Sequence, residues 1–278
     1  MIEGKTALVL GATRGIGKAT ALALAEQGAR LIIPYYDWPQ DCQQTFEELD
    51  RLSADHITVK TDLRDPAQVH HLFQVIQERC GSLHILINNI ERGGMPIVHG
   101  PYTPEQWDLE MDTTLKAKWL VFQEALPLMK QSGQGVVVVL SSIAGQVGRS
   151  GPAGLIFNEG YAAANRGVSS MTETWARQAA PEIRVNELEL GFIESRHAQK
   201  TRGWELLSQE QRQAIIDHTL LKRTGTIAEV RDAILFMVCQ ATFMTGTTIR
   251  LDGGYLLGHD QVPPMPPGQD DLEIKVID

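Results

Sequence analysis

Strand-like and helix-like segments alternate along almost the whole chain. The apolar run Thr6–Leu10 is followed by an Ala- and Leu-rich helical segment, Gly17–Gly28. Further along, Gly135–Leu140 is almost all valine, which is typical of a strand that helices cover on both faces. This order predicts an α/β fold, a single doubly wound Rossmann-type parallel sheet with helices on both faces. The other predicted strands are Arg30–Ile33, His56–Thr61, His84–Ile87, Ile183–Leu188 and Thr247–Leu251, and the other predicted helices are Thr45–Leu52, Pro66–Cys80, Gln106–Lys130, Tyr161–Ala179 and Ile227–Cys239.

A glycine-rich turn separates the first predicted strand from the first predicted helix. Glycines allow a tight turn and let backbone N–H groups approach a phosphate, while the helix N-terminus adds a partial positive charge. Glycines in this context, near the start of a doubly wound sheet, are typical of dinucleotide-binding proteins. The predicted contacts with the dinucleotide are Gly11, Thr13, Arg14, Gly15, Ile16 and Gly17.

Two positions bear on the choice between NAD and NADP. Arg14, inside the glycine turn, could face the 2′-phosphate of NADP. NAD-binding sheets carry an acidic residue at the end of the second strand, where it binds the ribose 2′-hydroxyl. Here Tyr35 lies at the end of that strand and Asp37 follows slightly late. We therefore expect NAD(P)(H) as cofactor, with a preference for NADP(H).

Charge and composition exclude several classes of partner. The net charge of −9 gives no general attraction for nucleic acid or anionic lipid. No segment approaches the roughly 20 apolar residues of a membrane helix, and the first residues show no signal-peptide pattern. Cys42, Cys80 and Cys239 are far apart and form no CxxC pair, so we expect buried thiols and no metal site. These features predict a cytoplasmic protein with no nucleic-acid or membrane partner.

The order of several motifs resembles that of the short-chain dehydrogenase/reductase family over about residues 4–258. After the glycine turn come Asn88-Asn89, then Ser142 at the end of the valine-rich run, and then Tyr161 at the start of a long helix. The segment Leu251–Gly254 resembles the family's C-terminal signature. The resemblance implies an oxidoreductase that moves a hydride between the nicotinamide of NAD(P)(H) and a small carbonyl compound or secondary alcohol.

The resemblance also implies roles for individual residues. In the family, the tyrosine hydroxyl exchanges a proton with the substrate oxygen and the serine hydrogen-bonds to that oxygen, so Tyr161 and Ser142 are candidate catalytic residues. Further cofactor contacts implied by the resemblance are Asp62 and Leu63 at the adenine, with Asn89, Ile90, Gly191, Ile193 and Ser195 towards the nicotinamide.

Two positions of the implied catalytic set differ in this chain. The family has a lysine four residues after the tyrosine, where this chain has Asn165, and an asparagine on the long central helix, where this chain has Thr114. Residues i and i+4 share a helix face, so Asn165 lies on the face of Tyr161. We therefore include Asn165 and Thr114 among the candidate catalytic residues. Glu91 and Leu190 are further changes near the expected nicotinamide.

The missing lysine affects the two directions of reaction differently. A free tyrosine has a pKa of about 10, and a neighbouring cation lowers a tyrosine pKa by roughly 1–3 units. We therefore expect carbonyl reduction, which uses protonated Tyr161, to be favoured at neutral pH. The alternative is a catalytically degenerate member of the family that binds nucleotide or partners without turnover. The substitutions at positions 165, 114, 90, 91 and 190 favour this alternative.

The domain organisation follows from the same pattern. We predict one dinucleotide-binding domain over residues 1–260 and an extended Pro-rich C-terminal tail over residues 261–278. An insertion at about residues 196–222 leaves the carboxyl end of a strand, where ligands bind in such sheets. It is either a substrate lid or a packed surface helical hairpin. The resemblance implies a homodimer or homotetramer.

Overall fold

A seven-stranded parallel sheet forms the centre of the computed structural model, which describes residues 2–90, 103–194, 204, 207–258 and 262. The order across the sheet is β3-β2-β1-β4-β5-β6-β9, as expected for a doubly wound fold. The predicted fold class is therefore confirmed. The strands are β1 Thr6–Val9, β2 Arg30–Tyr35, β3 His56–Lys60, β4 Ile85–Asn88, β5 Gly135–Ser142, β6 Ile183–Leu190 and β9 Thr248–Leu251, and the short pair β7 Ile193–Glu194 and β8 Gly225–Thr226 forms a separate two-stranded sheet.

Helices connect the strands and cover the sheet. None of the helices within the described ranges is long and apolar enough to cross a membrane. The α-helices of the described residues are α1 Gly15–Glu26, α2 Pro39–Arg51, α3 Pro66–Cys80, α4 Pro104–Glu110, α5 Ala117–Gln131, α6 Ala144–Val147, α7 Glu159–Ala179, α8 Gln209–His218 and α9 Ile227–Cys239.

The core lies in two layers, one on each face of the sheet. Val137 and Val139 pack into the layer formed with α3, α5 and α7. Val136 and Val138 point the other way, into the layer formed with α1 and α9. Because successive strand residues face opposite sides, a strand with helices on both faces must be apolar throughout. This explains the uninterrupted valine run.

The structure corrects the predicted start of the second helix. α2 begins at Pro39, six residues before the predicted Thr45. Proline fits the first turn of a helix, where its missing N–H would have no partner. The first turns of α2 are largely polar, so the helix showed no apolar periodicity until Thr45. A smaller correction concerns Cys239, which is exposed and not a buried thiol as predicted.

The predicted long helix Gln106–Lys130 is helical throughout but changes type in the middle. Between α4 and α5, residues Met111–Lys116 form a π-helix. Within it, the Thr113 hydroxyl donates to the Leu109 carbonyl at 2.7 Å, and such side-chain bonds compete with regular helix hydrogen bonds. π-helical segments occur frequently at functional sites. This one contains Thr114, a predicted site residue.

A fully buried glutamate ties together the elements that carry the serine and the tyrosine. Glu187 lies on β6 and accepts hydrogen bonds from the hydroxyls of Ser141 on β5, Ser169 on α7 and Thr248 on β9. The Ser169 and Thr248 bonds measure 2.8 and 2.7 Å. The polar residues of β6 led to a predicted end at Leu188, whereas the strand continues to Leu190. The cluster therefore fixes the end of β5 against α7.

We predict that Glu187→Ala destabilises the fold much more than Glu187→Gln. Alanine leaves the buried Ser141 hydroxyl and the partly exposed hydroxyls of Ser169 and Thr248 without their acceptor, which should lower the free energy of unfolding by about 2–3 kcal/mol. Glutamine keeps an acceptor oxygen, so its cost should stay below about 1.5 kcal/mol. Denaturant unfolding of the two variants and the wild type measures both values. A Glu187→Ala protein as stable as the wild type would contradict the role given to this cluster.

Candidate active site

The glycine turn lies where the strand order reverses, between β1 and β4. Gly11 has a positive φ of +64°, and a Cβ on it would lie 2.5 Å from the Asn89 carbonyl oxygen. A Cβ on Gly17 would lie 2.2 Å from the Gly11 carbonyl oxygen. Neither position has room for a side chain. Glycine is therefore required for α1 to pack this closely on the ends of the two strands.

The N-terminus of α1 is suited to an anion. The first turn contains no acidic residue, and the N-cap residue Arg14 makes no side-chain capping bond. Gly15 has φ +56° and open space beyond its Cα. The Thr13 carbonyl accepts a 2.8 Å hydrogen bond from the Thr45 hydroxyl, which attaches the turn to α2. Backbone N–H groups at such a helix start bind phosphate groups readily.

Arg14 lies at the outer rim of the turn. Its guanidinium carbon lies 3.7 Å from the centre of the Trp38 ring, which is a cation–π contact. Its Nη1 lies 3.8 Å from the Asp41 carboxylate. Trp38 itself has the left-handed φ of +61°, a conformation that costs energy in a bulky residue. The structure therefore places the Arg14 cation, in contact with Trp38 and Asp41, beside the glycine turn.

The predicted adenine contacts lie beyond the end of β3. Asp62 pairs with Arg64 through two hydrogen bonds of 2.8 and 2.6 Å. The hydrogen bond from Arg64 lowers the pKa of Asp62, so this carboxyl is ionised at neutral pH. The Leu63 side chain is buried in the core, so any nucleotide contact from Leu63 must come from its backbone. Tyr35, at the end of β2, packs edge-on against Phe46 at 5.5 Å.

Most of the predicted catalytic and nicotinamide-side residues line one cleft at the carboxyl ends of the strands. Its empty volume is about 630 Å³, including space open to solvent. Ser195 and Glu91 lie outside the described residues. The predicted site residues that line the cleft are Ile16, Asn89, Ile90, Thr114, Ser142, Tyr161, Asn165, Gly191 and Ile193.

Ser142 and Tyr161 reach the cleft from different elements. Ser142 ends β5, and its oxygen accepts a 3.1 Å hydrogen bond from the Ala144 backbone N–H. That bond leaves the serine hydroxyl hydrogen able to donate. Tyr161 lies in the first turn of α7, where Asn158 caps the helix by accepting from the Tyr161 N–H at 2.7 Å. The cap fixes where α7 begins and therefore where the tyrosine ring lies.

Asn165 does not act as a charged neighbour of Tyr161. Its side chain is buried, and Nδ2 donates to the Tyr161 backbone carbonyl at 3.0 Å. The amide is neutral and therefore supplies no positive charge. Arg166, the next residue, bonds to Gln146 at 2.8 Å in an exposed pair, as expected from its position on α7.

Thr114 presents a buried hydroxyl without a hydrogen-bond partner in the described structure. Buried polar atoms are nearly always paired with protein, water or ligand. Because Thr114 lines the cleft, a molecule or a water in the cleft could satisfy its oxygen.

Sequence reasoning missed Lys118, which also lines the cleft. The side chain is buried, and its ammonium group donates to the Ile90 carbonyl at 2.6 Å. A signal was present, because position 118 falls on the helical spacing of the buried residues Val121, Phe122 and Ala125. A lysine on an apolar stripe is unusual and therefore a sign of a specific role.

Comparisons with known proteins agree with this architecture. A family model described as enoyl-(acyl carrier protein) reductase matches residues 11–256. The 3-oxoacyl-(acyl-carrier-protein) reductase FabG of Staphylococcus aureus is 31% identical over 254 residues, covering 90% of this chain and 97% of that protein. The protein of the same name from Thermotoga maritima is 30% identical over 260 residues, covering 92% of this chain and 99% of its own length. A crystal structure from Burkholderia xenovorans, described as a short-chain dehydrogenase/reductase, has a TM-score of 0.78 at 30% identity and covers 92% of this chain and 98% of its own. The chain therefore belongs to the short-chain dehydrogenase/reductase family of oxidoreductases.

Proposed function

We propose that this protein is an NAD(P)H-dependent carbonyl reductase. The observation that carries the proposal is that Tyr161 and Ser142 line one cleft. The same cleft is lined by Ile16 of the glycine turn and by Asn89, which follows β4 where the strand order reverses. A dinucleotide whose phosphates lie on the turn would extend into the cleft that contains the proton donor.

The residues present fit a nicotinamide dinucleotide. The start of α1 presents backbone N–H groups to the phosphates, and its first turn contains no acidic residue that would repel them. The absence of a Cβ at Gly15 leaves room for the phosphates to approach. Thr114 offers an unpartnered oxygen deeper in the cleft. We expect Arg14, beside the glycine turn, to meet a 2′-phosphate, and Tyr35 stands where NAD-binding sheets carry an acidic residue. These features support NADP(H) as the preferred form.

Each residue of the pair has a defined task in the proposed reduction. The bound dinucleotide supplies a hydride to the carbonyl carbon. The Ser142 hydroxyl donates a hydrogen bond to the substrate oxygen and holds it towards Tyr161. Tyr161 gives its phenolic proton to that oxygen, so the carbonyl becomes an alcohol and the tyrosine becomes a phenolate that recovers a proton from solvent.

The described wall of the cleft beside Tyr161 is apolar. Phe157 stacks on Phe192 with ring centres 5.4 Å apart and lies 5.9 Å from the Tyr161 ring. Ile156 completes this wall. Such a surface favours a neutral, apolar group next to the reacting carbonyl. Because the relatives are named as 3-oxoacyl-(acyl-carrier-protein) reductases, 3-oxoacyl thioesters belong at the head of a substrate panel.

A homo-oligomer is part of the proposal. Trp107 on α4 and Trp119 on α5 are large aromatic residues that remain 41% and 45% exposed. Tryptophan is enriched at protein–protein interfaces. A dimer that packs through α4 and α5 would cover both side chains.

A nucleotide-binding protein without turnover is the alternative function. The observation that favours it is Asn165, which is neutral and bonded to the helix backbone. Tight binding of NADPH with no oxidation of it by any carbonyl of the panel would support this alternative.

We predict that Tyr161→Phe abolishes turnover and leaves nucleotide binding intact. Phenylalanine keeps the ring contact with Phe157 and removes only the proton donor, so kcat should fall by about 10²-fold or more. Steady-state oxidation of NADPH with an active carbonyl measures the loss, and the NADPH dissociation constant is the control. Equal kcat in the variant would show that another group donates the proton.

We predict that Arg14→Gln weakens NADPH binding selectively. Loss of a charge-assisted contact with the 2′-phosphate should raise the NADPH dissociation constant about tenfold. NADH has no such phosphate, so its dissociation constant should change less than about threefold. Calorimetric titration of both nucleotides makes the comparison. An equal loss for the two nucleotides would assign Arg14 to the shape of the turn instead.

The two directions should differ in their pH dependence. Alcohol oxidation needs the Tyr161 phenolate, so its turnover number should rise about tenfold per pH unit until the pKa of Tyr161 is reached. Reduction uses protonated Tyr161, so its turnover number should change less than about twofold between about pH 6 and pH 8. Both profiles are measured at saturating substrate. An oxidation rate that does not change with pH anywhere between about pH 6 and pH 9 would contradict this assignment.

A further inference from the structure

Lys118 stands out because a charged group is placed inside the cleft. Lys118 is only 2% exposed, and it is the one residue with a formal charge among the cleft-lining residues that the structure describes. Its neighbours on the same helix face include Ala117, Val121 and Phe122 of the core. Removing an ammonium group from water carries a large free-energy cost, so a lysine at such a place usually has a function.

The contact with Ile90 does not by itself require a lysine. The ammonium group donates to the Ile90 carbonyl at 2.6 Å and thereby attaches α5 to the chain that follows β4. The Asn88 side chain already attaches the same two elements, because its Nδ2 donates to the Lys118 carbonyl at 3.1 Å. A neutral donor could serve the Ile90 carbonyl at lower desolvation cost. The contact with Ile90 therefore does not account for the choice of a lysine over a neutral donor.

The Lys118 side chain and Tyr161 line the same cleft, and the residues that α7 contributes to this cleft carry no positive charge. Lys118 enters from α5, one turn after Thr114, whereas Tyr161 and the neutral Asn165 enter from α7. A cation near a phenol favours the phenolate. We propose that Lys118 is a positioning residue that stabilises the Tyr161 phenolate electrostatically, so that α5 supplies the charge that α7 lacks.

The other described charges near Tyr161 do not replace Lys118. Glu110 on α4 is buried and accepts from Asn158 at 3.3 Å, and its carboxyl group cannot supply a positive charge. Glu159 and Arg149 form an exposed pair at 3.5 Å. Arg166 is engaged with Gln146 at the surface. Among the described residues that line the cleft, the buried cation is thus Lys118.

This proposal deepens the proposed function, but its first test needs neither cofactor nor turnover. Lys118→Gln keeps an N–H donor for the Ile90 carbonyl and removes the charge, and Lys118→Met removes both. Ultraviolet titration of the apo protein measures tyrosine ionisation, and subtracting the same variant with Tyr161→Phe isolates Tyr161 among the five tyrosines. Burial raises the pKa of Tyr255 to about 12, which separates that residue from the signal.

The expected result is a pKa of Tyr161 that is raised by about one unit in both neutral variants. Asn165→Lys, introduced into the Lys118→Gln protein, should return the pKa to about the wild-type value, because it places a cation one turn from Tyr161 on α7. The turnover number for alcohol oxidation at neutral pH should follow, falling about tenfold in Lys118→Gln and recovering in the double variant.

Each contrary outcome has a distinct meaning. An unchanged pKa of Tyr161 in folded Lys118→Gln would overturn the proposal, as would a loss of turnover that Asn165→Lys does not rescue. Failure of both neutral variants to fold would also overturn it, because Lys118 would then be a residue of the core. A protein that binds no nucleotide but shows the shifted pKa would refute the proposed function and leave the electrostatic role of Lys118 standing.

Discussion

Two close contacts of glycines determine the position of everything else in the cleft. Gly17 lies against the Gly11 carbonyl, and Gly11 lies against Asn89. These contacts allow no Cβ, so α1 starts directly above the point where the strand order reverses. The N-terminus of α1 then points across the ends of β1 and β4, and Ile16 reaches the cleft wall. A side chain at either glycine would move the helix away and separate the proposed phosphate site from the proposed reaction site.

Buried polar groups organise the other side of the cleft. Glu187 joins the end of β5 to α7 through hydroxyl groups, so it holds the strand that ends in Ser142 against the helix that starts near Tyr161. The π-helical turn places Thr114 at the cleft with an unpartnered oxygen. Lys118 follows on α5 and adds a positive charge. Substrate chemistry is thus proposed to depend on a few polar atoms set in an apolar core.

The sequence alone predicted the parts that depend on local pattern. The alternation of strands and helices, the valine-rich β5 and the glycine turn depend on local residue preferences and on burial on two faces, so the fold class followed from them. The start of α2 did not, because its first turns are polar and its N-terminus depends on Trp38 and Pro39. The π-helical segment was also missed, since neither the segment nor the Thr113 side-chain bond within it is visible in the apolar periodicity.

Partners from distant parts of the chain explain what remained hidden. Sequence reasoning gave Glu187 no role, because its three hydroxyl partners come from β5, α7 and β9. The helical spacing of Lys118 was a signal in the sequence. The position of its ammonium group, however, also depends on the Ile90 carbonyl, which accepts from it and lies 28 residues earlier in the chain. The predicted lid at about residues 196–222 is described only at 204 and from 207 onward, where Trp204, Leu207 and Ile215 pack with Phe192, and the tail beyond 262 lies outside the described residues.

Calorimetric titration of the purified wild-type protein with NADPH and with NADH tests the central claim most directly. We expect saturable binding at one site per chain, with NADPH bound more tightly than NADH. The absence of a heat of binding with both nucleotides would contradict this expectation. The glycine turn would then serve only the packing of α1, and the oxidoreductase proposal would have to be abandoned.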